Sequence, residues 1–471
     1  MKKYLSVTLK PIFALVAILT LAVFTGCSDD DNNSSVGPDD GDESFAFLFD
    51  DMIQAGDSMN LSADSNWLVS GFVFVEEGAA LSIEPGAVIR FRPGTGVNAS
   101  ALIIARGGRI WANGTQDNPI IFTAEVDDVN DPSDLGLFDN GLWGGLIILG
   151  SATVNTPTGL SQIEGIPSDE IRGEYGGNDD NDNSGSLRYV SIRHGGSEIG
   201  AANEINGLTL GGVGRQTVIE YVEIYSNFDD GVEFFGGVPS TRNIAVAFCG
   251  DDAFDYDEGF RGNGQFWFAV QHEKVGNRCG EHDGATGDEQ GTPFAHPIIS
   301  NATYIGSGNR SANSDNDYAI IMRDNAGGEY HNSIFYGFQG SGLHVEDKTG
   351  EAIEHSRARL EAGDIVFNNN IWYSFGAGNT MNDVFQQEFV RTVMAQQGWT
   401  NEMVDPLINS VARLNTGALN PVPSASGPAA NAADQPAGAF FQNVSYKGAF
   451  QPGSANWLKG WTALDHYGFL Q

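Results

Sequence analysis

The sequence NFDDGVEFFGG, residues 227–237, is followed by a similar sequence, CGDDAFDYDEG, at residues 249–259. Each contains, in the same order, an acid pair, a small residue, a hydrophobic residue and a further acid. Asp229 of the first stretch and Asp251 of the second lie 22 residues apart. A fixed period of this length is typical of a solenoid, in which every turn of the chain stacks on the preceding turn.

Pairs of hydrophobic residues extend this period over most of the chain. Residues i and i+2 share one face of a β-strand, so each pair marks the buried face of a short strand. The pairs recur at spacings of 21 to 23 residues: Leu81/Ile83 with Leu102/Ile104, Val222/Ile224 with Ile244/Val246 and Phe266/Phe268, and Ile320/Met322 with Leu343/Val345. No helical pattern separates them. The sequence therefore predicts an all-β fold: a single-stranded, right-handed parallel β-helix with turns of about 22 residues and short helical caps at its N- and C-terminal ends.

The charge balance limits the possible ligands. The 471 residues include 61 Asp and Glu against 24 Lys and Arg, a formal net charge of −37. Nucleic acids bind basic surfaces, so this composition excludes a nucleic-acid partner. Polyanionic ligands are also disfavoured unless a cation bridges them to the protein. We expect no organic cofactor.

The N-terminus has the features of a targeting segment. Three lysines precede a short apolar run, residues 12–24, which is typical of a signal peptide and too short to span a bilayer. The following FTGC, residues 24–27, is similar to a bacterial lipobox, which predicts residues 1–26 as the signal peptide and Cys27 as the lipidation site. The acidic run 27–44 is predicted to be a disordered tether. We therefore expect a lipid-anchored protein of the outer membrane, exposed at the cell surface.

The remainder of the chain divides according to its sequence patterns. Residues 45–66 are predicted to form an N-terminal cap, and residues 67–375 the parallel β-helix. Residues 376–415 have helical spacing and are predicted to pack against the side or the C-terminal end of the solenoid. Residues 416–439, rich in Pro, Ala and Ser, are predicted to be a linker, and the aromatic residues 440–471 a segment that docks back on the body.

Several motifs together resemble one family. They are LSIEPGAVIRF (81–91), GGRIWANGTQDNPIIFTA (107–124), WGGLIILG (143–150), LRYVSIRHGG (187–196), DDGVEFFGG (229–237) and WLKGWTALDHYGFLQ (457–471). They are similar to a family of bacterial outer-membrane lipoproteins with leptospiral members, placed in the pectin-lyase-like parallel β-helix superfamily. This resemblance implies the fold and the location, and it implies no established catalytic activity.

Stacking of the repeated acids predicts a candidate calcium site. In the solenoid Glu233 lies beside Asp255, and Asp229 beside Asp251, about 4.8 Å apart. Like charges at that distance repel by about 1 kcal/mol in water and by about 3.5 kcal/mol at an effective dielectric constant of 20. Ca²⁺ relieves such repulsion because it accepts six to eight oxygen ligands. Protonation, a basic neighbour such as Lys274, or a purely structural role of the aspartates in shaping corners are the alternatives.

A second candidate calcium site lies in DDNDNSGS, residues 179–186. Asp180, Asp182 and Ser184 match the first half of a calcium-binding loop. The acid expected at the twelfth position is replaced by Ser191, so the loop pattern is incomplete. A plain polar loop is the alternative.

The superfamily also includes polysaccharide lyases and glycoside hydrolases, so a catalytic role for the acids has to be considered. In that alternative Asp230 and Asp252 would be the catalytic acids, with Arg261 or Lys274 as the basic partner. Polygalacturonase-like enzymes carry a downstream Gly-His-Gly and an Arg-x-Lys, and neither motif follows the acids here. We therefore expect that the protein is not an enzyme.

Two further expectations concern cysteines and aromatic residues. Cys249 and Cys279 lie on adjacent predicted turns, and a disulfide between them is favoured in an oxidising location; free thiols or a transition-metal site with nearby histidines are the alternatives. Tyr225, Phe235 and Trp267 are predicted to face outward, where they could form a platform for sugar rings, unless the insertion at residues 271–300 covers them.

These observations predict a binding or structural role: adhesion, or the capture of a carbohydrate or other cell-surface ligand on a face of the β-helix. The alternative is a Ca²⁺-dependent polysaccharide lyase or a glycoside hydrolase. Ca²⁺ is the candidate cofactor in either case.

The predicted anchor leads to a first test. Replacing Cys27 with Ala removes the sulfur that would be acylated, so the variant should be released from membranes or should stall during processing. Fractionation of cells that express the full chain measures this directly. A variant that is cleaved normally and stays with the membrane would contradict the lipid anchor.

Overall fold

The computed structural model describes residues 45–200, 203–351 and 353–471. The predicted signal peptide and tether, including Cys27, lie outside the described residues, apart from nothing beyond residue 44. The described chain forms a right-handed parallel β-helix, which confirms the fold class. Its strands form three parallel stacks, called face 1, face 2 and face 3 below.

Face 1 is a separate sheet of nine strands. These are Phe72–Val75, Ala101–Ile104, Leu146–Leu149, Leu208–Gly211, Val232–Phe235, Phe254–Asp257, Gly280–Asp283, Tyr318–Arg323 and Ser341–Val345. Every neighbouring pair is parallel, and Val232 stacks on Leu208 below it and on Phe254 above it. Face 1 carries most of the acids predicted above.

Faces 2 and 3 merge into one sheet of 18 strands, because three long strands bend around the corner between them. The long strands are Gly185–Arg193, Val218–Tyr225 and Ser240–Ala247. Face 2 also contains Ser58–Leu61, Ala80–Ile83, Arg109–Asn113, Asn263–Gln265, Ile298–Ser300, Gly328–His331 and Ile365–Asn368. Face 3 also contains Phe45–Leu48, Asn66–Val69, Val88–Phe91, Ile120–Ala124, Phe268–Val270, Thr303–Ile305, Ile334–Tyr336 and Ile371–Tyr373.

Helices and hairpins are added at the corners and at the C-terminal end. The helices are Ser356–Ala362, Met381–Val384, Glu388–Gln397 and Ala463–His466, with short 3₁₀ turns at Gly96–Asn98, Ile171–Gly173 and Pro428–Ala430. The antiparallel strand pairs are Leu160–Gln162 with Glu174–Gly176, Glu198–Gly200 with Asn203–Glu204, and Ile408–Val411 with Leu419–Pro423. Of the residues described, none belongs to a helix long and apolar enough to cross a lipid bilayer.

The interior consists of stacked columns of like side chains. Inward-facing aliphatic and aromatic residues of successive turns lie over one another, and large rings dominate the middle of the solenoid. The Phe254 and Trp267 rings stack with centroids 4.4 Å apart, and Phe91 and Trp143 stack at 3.9 Å. Because each turn contributes only a few apolar side chains, stability depends on the stacking of neighbouring turns.

The corner between faces 2 and 3 is formed by residues in the left-handed conformation. Asn301, Asn332 and Asn369 have φ values of 57°, 50° and 58° and occupy equivalent positions in successive turns. Asparagine tolerates this conformation better than most residues do, since its short amide hydrogen bonds locally. The Asn369 side chain donates a hydrogen bond of 2.5 Å to the Asn332 side chain one turn below.

The C-terminal segment covers the outer surface of face 3. Leu458, Leu464 and Phe469 pack in one buried cluster with Tyr225 and Phe248 of the solenoid. A fully buried carboxylate fixes this segment: Glu223 accepts hydrogen bonds from the amides of Ala463 and Leu464, at 2.5 and 3.1 Å. These amides belong to the first turn of a helix, where free N–H groups favour a negative charge.

Two predicted boundaries differ from the structure. The first strand, Phe45–Leu48, already pairs in parallel with Asn66–Val69, so the solenoid begins inside the segment predicted as a cap. The predicted linker contains the strand Leu419–Pro423, which pairs with Ile408–Val411, and the buried Ala429. Proline is compatible with this short two-stranded edge because a missing N–H costs little where no further strand must pair.

The predicted disulfide is absent: Cys249 and Cys279 are both free, buried thiols. The register explains this result. Phe254 pairs with Gly280, so Cys279 lies over Ala253 rather than over Cys249. Cys249 is four residues further back along its own turn, and the two cysteines therefore occupy different positions in the cross-section of the solenoid.

The predicted aromatic platform is also wrong, because Tyr225, Phe235 and Trp267 are all buried. Tyr225 lies under the C-terminal segment, stacked on Tyr467 with centroids 5.1 Å apart. Phe235 lies under the insertion between faces 1 and 2, beside Tyr175. Both side chains leave the solenoid wall as predicted, but distant parts of the chain cover them.

Trp267 fails for a different reason. Ala245 pairs with Phe268, 23 residues further on, because Phe266 adds one residue in the left-handed conformation at the corner. A shift of one residue exchanges the two faces of a strand. Trp267 consequently points into the core, where its indole N–H donates a hydrogen bond of 2.8 Å to Thr241.

The position of Trp267 can be tested by its contribution to stability. Trp267→Ala should reduce the free energy of unfolding by about 3–5 kcal/mol, because it leaves a large cavity in the core. Phe228→Ala is the matched control, since the Phe228 side chain is 48% exposed whereas Trp267 is 1% exposed. Urea unfolding of both variants measures the difference. Equal, small losses of stability would show that Trp267 is a surface residue.

Candidate functional site

The outer surface of face 1 carries two parallel columns of charged side chains. Successive turns place Glu233, Asp255 and Glu281 in one column. The neighbouring column contains Asp257, Asp283 and Arg323. The sequence predicted the pairing of Glu233 with Asp255, and the structure shows that register. We call these residues the acid face.

Glu281 and Asp283 were missed by the sequence analysis. Phe254 pairs with Gly280, which is 26 rather than 22 residues further on, because extra residues lie at the intervening corner. The signal is present in the sequence: GEHDG, residues 280–284, repeats the alternation of FDYDEG, residues 254–259. Comparison of strand patterns, rather than a fixed spacing, would have identified the third turn.

Burial and mutual repulsion hold protons on this surface. Burial is the main factor that raises the pKa values of Glu233 and Asp255 well above their usual range. Nearby acids add to the effect: Glu164 is the largest such contribution at Glu233, and Glu233 itself is the largest at Asp255. Burial likewise raises the pKa of Asp257 to about 7, against hydrogen bonds from Thr286 and from the Glu258 amide.

The corner before face 1 contains the repeated aspartate pairs, and the second member of each pair has a structural role. The Asp252 amide donates a hydrogen bond of 2.8 Å to Asp230 Oδ1, and the Arg278 amide donates one of 2.5 Å to Asp252 Oδ1. Each aspartate thus accepts from the residue that follows it in the stack. Asp230 and Asp252 tie neighbouring turns together, which agrees with the corner-shaping alternative.

The first members of the pairs lie in a different setting. Asp229, Asp230 and Asp251 each place a carboxylate oxygen within 4.8 Å of the other two. Asp229 and Asp251 line a cleft of about 540 Å³ that also contains Phe228 and Lys274. We call this group the corner acids. Hard cations such as Ca²⁺ prefer oxygen ligands arranged in this way.

A second acid cluster in the molecule shows a different arrangement. Glu289, Asp324 and Glu346 also lie within 4.8 Å of one another. The Lys348 ammonium contacts all three, at 2.8, 3.0 and 2.8 Å. A built-in cation therefore neutralises this cluster, whereas Lys274 forms no salt bridge within 4 Å among the ion pairs of the described residues.

The predicted position of Lys274 over Asp252 is not observed. The corner adds four residues, so Arg278 rather than Lys274 follows Asp252 in the stack. Arg278 binds Glu281 at 2.6 Å and Asp317 at 3.0 Å, and it closes the upper end of the column.

Arg323 neutralises the upper end of the second column. Its guanidinium binds Asp283 at 2.7 Å and also contacts Glu281. The two arginines compensate the upper turn of the acid face, and the acids of the two turns below have no such partner among the ion pairs described.

Two buried acceptor atoms near the acids lack a hydrogen-bond donor. Within the described chain, nothing hydrogen bonds to Asp255 Oδ1 or to Asn206 Oδ1. Asn206 is almost fully buried, and its amide nitrogen donates to Glu233. Buried acceptors without donors are unfavourable by about 1–3 kcal/mol each, so a proton or a cation at these atoms would stabilise the fold.

The second predicted calcium loop has its carboxylates engaged. Asp180 binds Arg261 at 3.3 Å and Arg215 at 3.4 Å, and it accepts a hydrogen bond of 3.0 Å from the Thr153 amide. Burial acts to raise the pKa of Asp180, but the Thr153 amide and Arg261 outweigh it and lower the pKa.

Asp182 completes this loop by accepting a hydrogen bond of 3.0 Å from the Ser184 hydroxyl. The loop is thus held by the protein's own donors, as the plain polar loop alternative requires. Arg261, the basic partner in the catalytic alternative, belongs to this loop and not to the acid face.

The raised pKa values lead to a prediction on pH dependence. Asp257 keeps its proton to a pH of about 7 in the folded state but only to about 3.8 when unfolded. The folded state therefore binds more protons between these values, and stability should fall as the pH rises from about 4 to about 7. Melting temperatures recorded in a chelating buffer measure this.

Asp257→Asn should flatten the profile, because it removes one of the groups that bind protons more tightly in the folded state. Asp117→Asn, at an exposed position, is the matched control and should leave the slope unchanged. A wild-type melting temperature that rises over this pH range would contradict the protonated acid face.

Comparison with known proteins agrees with this architecture. The family described as pectate-lyase-like beta helix domain matches residues 53–405, which cover well over half of the chain. No curated protein and no solved structure shows a significant match. The chain thus belongs to the family of pectate-lyase-like β-helix domains.

Proposed function

We propose that this chain is a lipid-anchored protein of the bacterial outer-membrane surface that binds acidic carbohydrate through Ca²⁺ held by the corner acids. The observation that carries the proposal is the convergence of Asp229, Asp230 and Asp251 at one cleft without a built-in cation at their centre. The Lys348 cluster, with the same number of acids, supplies the contrast.

The net charge of −37 favours a bridging cation over direct binding of the glycan. An acidic polysaccharide is repelled by such a surface, and bound Ca²⁺ reverses the local sign of the potential. The cleft also contains Phe228, which is half exposed and offers an apolar face to a sugar ring.

Binding is favoured over cleavage by the state of the arginines. A lyase requires a base that can accept a proton next to a carboxylate. Although burial opposes the effect, Asp252 and Asp317 raise the pKa of Arg278. The hydrogen bond from Arg323 to Asp283 likewise raises the pKa of that guanidinium. Both groups are consequently poorer bases than free arginine.

A hydrolase remains the alternative, because carboxyl groups with raised pKa values are suited to general acid catalysis. Asp257 has this property. In contrast, Asp230 and Asp252 are tied to backbone amides and are unsuited to that role.

The proposal is tested with the full chain and immobilised polygalacturonate. We expect retention that requires Ca²⁺, is abolished by chelator and leaves the length of the polysaccharide unchanged. Asp251→Asn should weaken Ca²⁺ binding about tenfold, equivalent to about 1.4 kcal/mol, because one anionic ligand is lost. Calorimetry measures the Ca²⁺ affinity, and size analysis of the polysaccharide detects cleavage.

Asp324→Asn is the matched control, because it removes an acid from a cluster in which Lys348 already supplies the positive charge. Retention that is independent of Ca²⁺ would contradict the bridging role. Shortening of the polysaccharide that disappears in both Asp230→Asn and Asp252→Asn, with folds intact, would establish the enzyme alternative.

A further inference from the structure

Two histidines and one glutamate meet on the outer surface of face 2, far along the chain from the corner acids. Glu329 and His331 are two residues apart in the strand Gly328–His331, so both project from the same side. Ile298 pairs with Glu329, and this register places His296, two residues earlier, on the neighbouring turn diagonally beside Glu329.

The three side chains already contact one another. His296 Nε2 lies 2.9 Å from Glu329 Oε1, and His331 Nε2 lies 2.7 Å from Glu329 Oε2. The side chains are 32%, 23% and 18% exposed for His296, Glu329 and His331, so the cluster is partly sheltered but open to solvent. We call it the histidine cluster.

We propose that the histidine cluster is a binding site for a divalent transition-metal ion, with Zn²⁺ as the reference ion. Two imidazole nitrogens and one carboxylate form a donor set that suits Zn²⁺, Ni²⁺ and Cu²⁺, whereas Ca²⁺ and Mg²⁺ prefer oxygen alone. The site is thus chemically distinct from the corner acids, and it does not depend on the function proposed for them.

The carboxylate is available as an anion at all neutral pH values. Hydrogen bonds from His296 and His331 outweigh the effect of burial and lower the pKa of Glu329 to about 2. A metal ion therefore displaces no proton from Glu329, and only the imidazole Nε2 atoms have to be unprotonated.

Both imidazoles can take the required tautomer without losing a partner. Metal binding through Nε2 moves the remaining ring proton to Nδ1. Among the described residues, no hydrogen bond involves Nδ1 of His296 or of His331. Nothing holds the present tautomer there, and the missing second partner also means a site of moderate rather than very high affinity.

The bound arrangement requires a small movement. The two imidazoles now contact opposite oxygens of Glu329, and they must turn toward each other to share one ion at 2.0–2.1 Å, as expected from. His296 precedes its strand and is about one third exposed, so it can turn without disturbing the core. The nearby Arg359 guanidinium is paired with Asp364 at 3.0 Å, which limits its repulsion of a cation.

The test uses the full chain and Zn²⁺ in a buffer that contains excess Ca²⁺, so that the corner acids are occupied. Calorimetry should show one saturable Zn²⁺ site, and Co²⁺ at the same site should give the ligand-field absorption of a nitrogen- and oxygen-bound ion. His331→Ala and His296→Ala should each weaken Zn²⁺ binding about tenfold or more, because each removes one of three ligands. Glu329→Gln should do the same while keeping the shape of the side chain.

His344→Ala is the matched control, because His344 lies on face 1 against Tyr318 and belongs to neither site. It should bind Zn²⁺ as the wild type does. The proposal is overturned if the full chain shows no saturable Zn²⁺ site, or if both His296→Ala and His331→Ala bind Zn²⁺ with unchanged affinity. Either result leaves the Ca²⁺ proposal intact, whereas loss of Ca²⁺ binding by the corner acids does not affect the Zn²⁺ result.

Discussion

Hydrogen bonding between successive turns is the constraint on which the rest of the structure depends. It fixes neighbouring strands at about 4.8 Å and places each side chain over its counterpart in the next turn. Like residues therefore stack on like residues wherever the sequence repeats. Hydrophobic pairs such as Val232 and Phe254 become columns of the core, and Asn332 and Asn369 become a hydrogen-bonded corner. The same rule brings Glu233 and Asp255 together, although that contact is unfavourable when both are charged.

The sequence predicted those parts of the fold that follow from this local rule. The inward columns, the parallel pairing and the adjacency of Glu233 and Asp255 follow from alternation and period alone. The failures occur where the period changes. One extra residue at Phe266 turned Trp267 inward, and four extra residues before Arg278 concealed Glu281 and displaced Lys274. Corner lengths depend on loop conformation, which leaves little trace in hydrophobic spacing.

A second kind of failure concerns what covers the solenoid. Tyr225 leaves the wall as predicted, yet the C-terminal segment buries it, and Glu223 binds amides about 240 residues away in the chain. No local pattern predicts which outer surface a distant segment will occupy. The histidine cluster belongs to the same category, because His296 and Glu329 meet only through the register of two turns separated by an insertion.

The acid face and corner acids are the places where the stacking rule conflicts with electrostatics, and the molecule relieves the conflict in three ways. Lys348 supplies an ammonium to one cluster, Arg278 and Arg323 neutralise the upper turn of the acid face, and backbone amides hold Asp230 and Asp252. The acids left over are those at the cleft and on the turns below the arginines. Local conflicts that a fold retains tend to lie at functional sites. Because relief by basic side chains was available elsewhere in the same solenoid, its absence at the cleft favours a site that takes its positive charge from solution.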